Sequence, residues 1–320
     1  MRNTYRRPVW AIILIMLALL AAASDVASQS VVWKGHKGGV SSIVFSPDAQ
    51  RLASGGNDNN VRLWDVQTGR LEHTFEGHSR AISSLAFSPD GKILASGSFD
   101  QSVKLWDVSS RKLKLALGEH PSGQVKGVSF SPDGKFLVSA GADGVRLWDL
   151  GTGKLLQFFE SNQGVLTVAF SPNGKILAEA GGAGIKLWGL QERKMLRHLK
   201  GVDAELIISI AFSPDGQVLA SGGNRQMVKL WNVNTGDLKG TVDVKRDFIR
   251  SLGFSTDGGT LAVANRTACQ LWNIEKYQVQ EALRSDAPLL SVAVGLSSQG
   301  AAIWAGGDAD GTLRLWRFRD

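Results

Sequence analysis

Trp64, Trp106, Trp148, Trp188, Trp231, Trp272 and Trp316 follow one another at intervals of 42, 42, 40, 43, 41 and 44 residues. A period this regular, held over most of a 320-residue chain, restricts the fold to stacked copies of one small unit. Each tryptophan closes a short segment of one type, such as Val61-Arg62-Leu63-Trp64, Val103-Lys104-Leu105-Trp106 or Ile185-Lys186-Leu187-Trp188. Aliphatic and polar residues alternate there, which is the period of a half-buried strand. About 19 residues upstream of most of these tryptophans stands a phenylalanine that ends another strand: Phe45, Phe87, Phe130, Phe170, Phe212 and Phe254, with Leu296 in the seventh copy.

A tight turn follows that residue. Ser88-Pro89-Asp90-Gly91 recurs at Ser131 and Ser213, and as Ser171-Pro172-Asn173-Gly174, with drifted copies at Ser46, Ser255 and Ser297. Proline presets φ at the second position and glycine accepts the left-handed close. A third strand comes next, such as Ile93-Leu94-Ala95-Ser96, and no repeat shows helical periodicity.

Repeats of this length, with four strands and a tryptophan–aspartate dipeptide, resemble the WD40-repeat family. Trp64-Asp65, Trp106-Asp107 and Trp148-Asp149 carry the dipeptide; Trp188-Gly189, Trp231-Asn232, Trp272-Asn273 and Trp316-Arg317 have drifted from it. The family's glycine–histidine pair stands at Gly35-His36 and Gly77-His78, with Glu119-His120 as a variant. The resemblance covers about Ser30 to Asp320 and implies an all-β, seven-bladed propeller of four-stranded antiparallel blades. The chain ends four residues after Trp316, too soon for an outer strand in the seventh blade. Val31-Val32-Trp33-Lys34 stands in outer-strand register at the other end and is expected to close the ring.

The resemblance also implies a buried hydrogen-bond chain of serine, histidine, aspartate and tryptophan inside each well-matched blade. His36, Ser54, Asp58 and Trp64 match it in blade one, and His78, Ser96, Asp100 and Trp106 in blade two. Blade three offers His120, Ser139, Asp143 and Trp148 with the spacing shifted by one residue. Blade five keeps Ser221 but has Arg225 in place of the acid, blade seven keeps Asp310 without the histidine, and blades four and six have lost most of the set. A nucleophile site would be unique. Graded copies in register read as structure, and no catalytic residue is expected. His73 and His198 fall on outer strands. Asp308-Ala309-Asp310-Gly311 resembles only the opening of a calcium loop, and Gly181-Gly182-Ala183-Gly184 has no helix behind it to make a phosphate cradle. No metal or cofactor is expected.

Residues 1–23 read as a secretory signal peptide: Arg2, Arg6 and Arg7, then 15 unbroken apolar residues from Val9 to Ala23, ending on an A-x-A-like site. The apolar run is short for a membrane span. The alternative is an uncleaved anchor through residues 9–23, with membrane contact only in that case. Residues 24–29 form a short linker and 30–320 the propeller. Without the three early arginines, 33 of the 36 basic residues remain against 29 acidic, so the net charge falls from +7 to +4. The remaining cations are scattered, and nucleic-acid binding has no support in them. Cys269 is the single cysteine, so no disulfide framework exists within the chain.

The resulting expectation is an exported, non-enzymatic scaffold, periplasmic or extracellular, that binds a protein or peptide. Its partner face would be the end where inner-strand entrances and the loops before the tryptophan strands converge, carrying Lys37, Arg80, Phe99, Arg225, Arg246 and Arg266. The alternatives are an accessory of envelope assembly or cell-wall binding, and a propeller enzyme with a site in the central channel.

Overall fold

The repeated turn sets the strand spacing. In the second copy the Ser88 hydroxyl donates to Asp90 Oδ1 at 2.6 Å, the Gly91 amide returns to the Ser88 carbonyl at 2.8 Å, and the Ile93 amide donates to Ser88 Oγ at 2.9 Å. Gly91 sits at φ 69°, and Ala49 takes the same left-handed close at φ 51° in the drifted first copy. The tryptophan strands end on a second turn. Asp65 Oδ1 accepts the Thr68 amide at 2.7 Å and Asp149 Oδ1 the Thr152 amide at 2.7 Å. Asn232 and Asn273 serve equally through their carbonyl oxygens, at 3.1 Å to the Thr235 amide and 2.8 Å to the Lys276 amide. Drift from aspartate to asparagine therefore keeps the turn.

A computed structural model describes residues 29–317, apart from 119, 122, 200–205, 245–247, 267 and 297–301. The readings made for residues 1–28, Glu119, Arg246 and the Ser297 turn lie outside the described residues. The described residues form strands and turns, with no helix. Strand β1 (Gln29–Lys34) precedes blade one, which holds β2 (Val40–Phe45), β3 (Arg51–Gly56), β4 (Val61–Asp65) and β5 (Leu71–Phe75). Blade two holds β6 (Ile82–Phe87), β7 (Ile93–Ser98), β8 (Val103–Asp107) and β9 (Lys112–Leu117). Blade three holds β10 (Gly127–Phe130), β11 (Phe136–Gly141), β12 (Gly144–Asp149) and β13 (Leu155–Glu160). Blade four holds β14 (Val165–Phe170), β15 (Ile176–Gly181), β16 (Gly184–Gly189) and β17 (Lys194–Leu199). Blade five holds β18 (Ile207–Phe212), β19 (Val218–Gly223), β20 (Met227–Asn232) and β21 (Leu238–Asp243). Blade six holds β22 (Ser251–Phe254), β23 (Thr260–Ala264), β24 (Ala268–Asn273) and β25 (Gln278–Arg284). Blade seven takes β26 (Leu289–Leu296), β27 (Ala302–Asp308) and β28 (Thr312–Arg317), and β1 completes it.

The closing strand is where the sequence places it. β1 pairs antiparallel with β28, Val31 opposite Leu315 and Trp33 opposite Leu313. Trp33 is buried and stacks on Trp64 of blade one, centroids 5.8 Å apart at 21°. Gly69 permits that contact, since a Cβ there would lie 2.4 Å from Trp33 Nε1. Closure covers the edge of β28, which would otherwise invite a foreign strand, and leaves blade seven four-stranded like the others.

The apolar core lies between blades. One cluster joins Ala53, Val61, Leu63 and Phe75 of blade one to Ile82, Leu85, Phe87 and Trp106 of blade two. The same arrangement recurs around the ring and joins blade seven to blade one through Trp33, Trp64, Leu313 and Leu315. Inner strands are also stitched across blades by hydroxyls. Ser42 Oγ accepts the Leu85 amide at 3.0 Å, Ser84 Oγ the Val128 amide at 3.1 Å, Ser209 Oγ the Leu252 amide at 3.0 Å, and Ser291 Oγ the Ile43 amide at 3.0 Å. Blade three has Gly127 at this register, and the stitch skips it.

Candidate functional site

In blade one the Trp64 indole donates to Ser54 Oγ at 2.8 Å, and Ser54 Oγ lies 2.7 Å from His36 Nε2. His36 Nδ1 lies 2.9 Å from Asp58 Oδ1. Arg62 Nη1 lies 2.6 Å from the same Nδ1, so this nitrogen sits between a carboxylate and a guanidinium, while Nε2 faces the serine. Arg62 Nη1 also donates to Asp58 Oδ2 at 2.8 Å. Blade two repeats the chain through Trp106, Ser96, His78 and Asp100 at 2.8, 2.7 and 2.8 Å. There Ser102 Oγ donates to Asp100 at 2.7 Å and stands in for the arginine.

Blade three is wired differently. Trp148 donates to Ser139 Oγ at 2.8 Å, and His120 Nε2 meets the same oxygen at 2.7 Å. Asp143 Oδ1 is 3.8 Å from His120 Nδ1, too far for a hydrogen bond. Arg146 fills the gap: it donates to His120 Nδ1 at 3.0 Å and to both Asp143 oxygens at 2.8 and 2.7 Å. With Asp143 out of reach, Nδ1 accepts from Arg146 and the proton sits on Nε2. The one-residue shift in spacing is the cause.

The drifted blades find other partners. Trp231 donates to Ser221 Oγ at 2.8 Å, and Trp272 to Gln270 Oε1 at 3.2 Å. In blade four Glu179 occupies the serine register opposite Lys186, whose Nζ is 3.4 Å away. Glu179 is buried, its Oε2 and Trp188 Nε1 make no hydrogen bond, and burial raises its carboxyl above the usual range. In blade seven Asp310 keeps the register of Asp58, but it is exposed and only caps the Thr312 amide at 3.0 Å. The buried acid there is Asp308, which takes Arg314 Nε at 2.9 Å and the Ser285 hydroxyl at 2.7 Å. Sequence reasoning missed Asp308, Glu179 and Arg146. The alternation of their strands was the available signal, since each falls on or beside an inward position.

These sets are closed to substrate. Ser54, Ser96 and Ser139 have no exposed surface. Burial holds the three imidazoles below their ordinary range, His120 at about 4, so they are neutral at pH 7. Burial works to raise the Asp100 carboxyl, but hydrogen bonds from Ser102, Ser79 and His78 outweigh it and hold the group at about 2. Cys269 is buried in the blade six–seven core, and burial pushes its thiol up to about 12. Among the described residues no group of three or more His, Cys, Asp and Glu side chains could hold a metal ion. His73 lies edge-on to Phe75 at 4.7 Å and His198 Nε2 donates to the Ala183 carbonyl at 2.9 Å, both on outer strands.

The loop residues singled out in sequence lie at one end of the strands but on different blades. Lys37 and Arg80 stand exposed on the loops that enter β2 and β6, and Arg225 and Arg266 on the loops before β20 and β24. Arg80 and Phe99 are neighbours: Ser98 Oγ donates to the Arg80 carbonyl at 2.9 Å, and the Phe99 amide to the Ala81 carbonyl at 2.9 Å. Phe99 is half-buried, not exposed as the sequence suggested, because Lys126 Nζ rests 4.2 Å above its ring. Beside it opens a recess of about 340 Å³ lined by Gly123, Gln124, Lys126, Ala142, Gly164 and Leu166. The loops of blades three and four form its floor. Only Ala142 and Asp143 separate β11 from β12, and only Gly182 and Ala183 separate β15 from β16, whereas blade one spends Asn57 to Asn60 on the same turn. Leu206 and Phe248 are exposed on the loops entering β18 and β22.

Comparison with known proteins agrees with this architecture. The family model described as IFT122 first beta-propeller matches residues 99–320, and that of the WD domain, G-beta repeat matches 27–65 and 69–107. Among curated relatives, eukaryotic translation initiation factor 3 subunit I of Phaeosphaeria nodorum is 50% identical over 44 residues, 14% of this chain and 13% of that protein. Ribosome biogenesis protein bop1-A of Xenopus laevis is 52% identical over 42 residues, 13% of this chain and 6% of that protein. The guanine nucleotide-binding protein subunit beta of Oryza sativa is 44% identical over 45 residues, 14% of this chain and 12% of that protein. Each likeness is about one repeat long and leaves most of the relative uncovered. The chain belongs to the WD40 β-propeller family.

Proposed function

We propose that this propeller is a non-enzymatic scaffold that binds a protein or peptide on its loop face, over blades two to six. The observation that carries the reading is the recess beside Phe99. Backbone and small side chains floor it, Leu166 and Lys126 wall it, and Arg80 and Arg225 stand on neighbouring loops. An apolar hollow with cations around it suits a segment that carries an apolar side chain flanked by acids. The hydroxyls and imidazoles that could do chemistry are committed to holding blades together. The N-terminal arginines and the apolar run that follows support export of the scaffold, with the mature chain beginning at Ser24.

The test is site-specific photo-crosslinking in the native cell. Crosslinkers at Phe99 and Leu166 should label a partner, and Arg80→Ala should weaken the labelling. A crosslinker at Lys92, on the opposite turn, should stay silent. Equal labelling at both ends, or labelling indifferent to Arg80, would overturn the face. Fractionation with N-terminal sequencing tests export, and a chain recovered intact from the cytoplasm would refute it.

A further inference from the structure

The outer strand of a blade has one edge hydrogen-bonded inward and one edge free, and proteins guard such edges with charge. Glu72 and His73 lie inside β5, Lys114 inside β9, Arg197 and His198 inside β17, Lys239 inside β21 and Glu281 inside β25. Only β1 and β13 have no ionisable residue in the strand interior. β1 exposes two valines. β13 exposes Leu155, Leu156 and Phe158, each more than 40% accessible, as the last strand of its sheet.

The groove next to β13 is also richer in apolar side chains, although Asp133 and Arg193 still line it, and the repeat supplies its own control. Between blades one and two the corresponding groove, about 350 Å³, is crossed by Arg51, Glu72 and Arg111, with Arg51 3.0 Å and Arg111 3.9 Å from Glu72. Between blades three and four, Phe136 stands at the register of Arg51 and Leu156 at that of Glu72, and the groove is about 470 Å³. Arg193 keeps the register of Arg111, but the carboxylate and the second arginine of the ionic closure are replaced by apolar side chains beside a free strand.

The ends of β13 point to what covers it. Lys154 precedes the strand and Glu160 ends it; both are exposed, and neither has an ion pair among the described residues. Two β13 edges set antiparallel about Gln157 bring each Lys154 opposite the other copy's Glu160, and each Leu156 opposite Phe158. No other charge lies within the paired strands, and Arg146 of β12 packs on each Phe158 ring, 4.7 Å from its centroid. The same operation on β9 about Leu115, the position equivalent to Gln157, sets Lys112 opposite Gly118 and Lys114 opposite Ala116, with no carboxylate to meet either lysine. We infer that β13 is a self-association edge, through which two copies of this chain pair about a two-fold axis. Apolar cross-strand pairs form the centre of the contact and two lysine–glutamate pairs close its ends. A strand-sized contact is small, so the dimer is a weak one.

Sedimentation of the purified full chain from about 1 to 100 µM should show a reversible monomer–dimer equilibrium. Lys154→Glu or Glu160→Lys alone makes both end pairs repulsive and should weaken it about tenfold. The double variant Lys154→Glu, Glu160→Lys restores opposite charges and should recover dimerisation to within about twofold. Phe158→Lys should abolish it, whereas Lys114→Glu on β9 should not change it. All four positions are exposed, and an unchanged melting curve verifies folding. A chain monomeric throughout that range would overturn the inference. So would association indifferent to the single reversals, as the apolar run at residues 9–23 would produce, or a double variant that fails to recover.

Discussion

Acid should loosen this propeller once pH falls below about 6.5, and blade three should be where most of the effect arises. His120 has no exposed surface and touches Arg146 on one side and Ser139 on the other. Burial, then the Arg146 charge, takes its imidazole from 6.5 in the unfolded chain to about 4 in the folded one. A folded pKa below the unfolded one means that the unfolded state binds the proton first. The stability this confers is complete above pH 6.5 and is lost as pH falls through about 4. At 1.36 kcal/mol per unit the loss is about 3 kcal/mol, a large part of a typical folding free energy. His36 and His78 are shifted in the same direction and add to it. Glu179 opposes: its raised folded pKa means that it gains stability as pH falls.

The assay is urea unfolding followed by tryptophan fluorescence between pH 7.5 and 4, on the wild type and His120→Gln. The variant is less stable at pH 7.5, where it lacks the native contacts, but it has no imidazole to protonate there. Its deficit should therefore shrink by about 3 kcal/mol on going to pH 4. Contributions from Glu179, His36 and His78 are common to both proteins and cancel in the difference. A deficit that stays constant with pH would refute the reasoning.

Three further outcomes follow from the geometry. Trp33→Ala empties the stack on Trp64 and should cost about 3–5 kcal/mol, and deletion of Ser30 to Lys34 should lower the melting temperature and promote aggregation; an unchanged melting curve would refute the clasp. Ser84→Ala removes the acceptor of the Val128 amide and should cost about 1–3 kcal/mol in denaturant unfolding, whereas Ser110→Ala on an exposed turn serves as the silent control. Glu179→Ser restores the hydroxyl that Trp188 lacks and should stabilise the protein by about 1–2 kcal/mol at pH 7, with the gain shrinking toward pH 4 as the native glutamate becomes neutral.

Much of this architecture is legible in the sequence because a repeat makes each position a member of a series. Trp64 alone says little; Trp64 with six partners at 40–44 residues defines strand, blade and ring together. Trp33 is legible for the same reason, as an outer strand without a blade in front of it. The stitch of Ser42, Ser84, Ser209 and Ser291 was not legible. Serine on a half-buried strand fits many roles, and its acceptor partner lies in the next blade, about one repeat away or, for Ser291 and Ile43, at the far end of the chain. Asp310 was misread because register alone cannot say which of two nearby acids turns inward, and Arg314 draws Asp308. Arg146 was missed because the tetrad pattern contains no arginine. Arg62 holds the same position in blade one, and the one-residue shift that moves Asp143 away leaves Arg146 as the bridge.

The drift from blade to blade is itself informative. Blades four and six lack the histidine and the serine, yet their middle strands pair in full register and their outer strands carry the same bulge as those of blades one, two, three and five. The tetrad therefore cannot be what forms a blade. The cores lie between blades, so a blade that loses its internal wiring is still held on both faces by Leu187, Ile207 and Trp231 on one side of the ring or by Val263, Trp272 and Leu283 on another. Closure through Trp33 makes that support continuous, since no blade is left as an end. A closed ring lets single blades exchange buried polar contacts for other uses. Blade four has accepted a buried glutamate, and blade three has given up the ionic closure of its outer groove. The blades that depart most from the repeat are thus the first places to look for what distinguishes this propeller from its relatives. The apolar β13 edge and the recess over blades three and four both lie there.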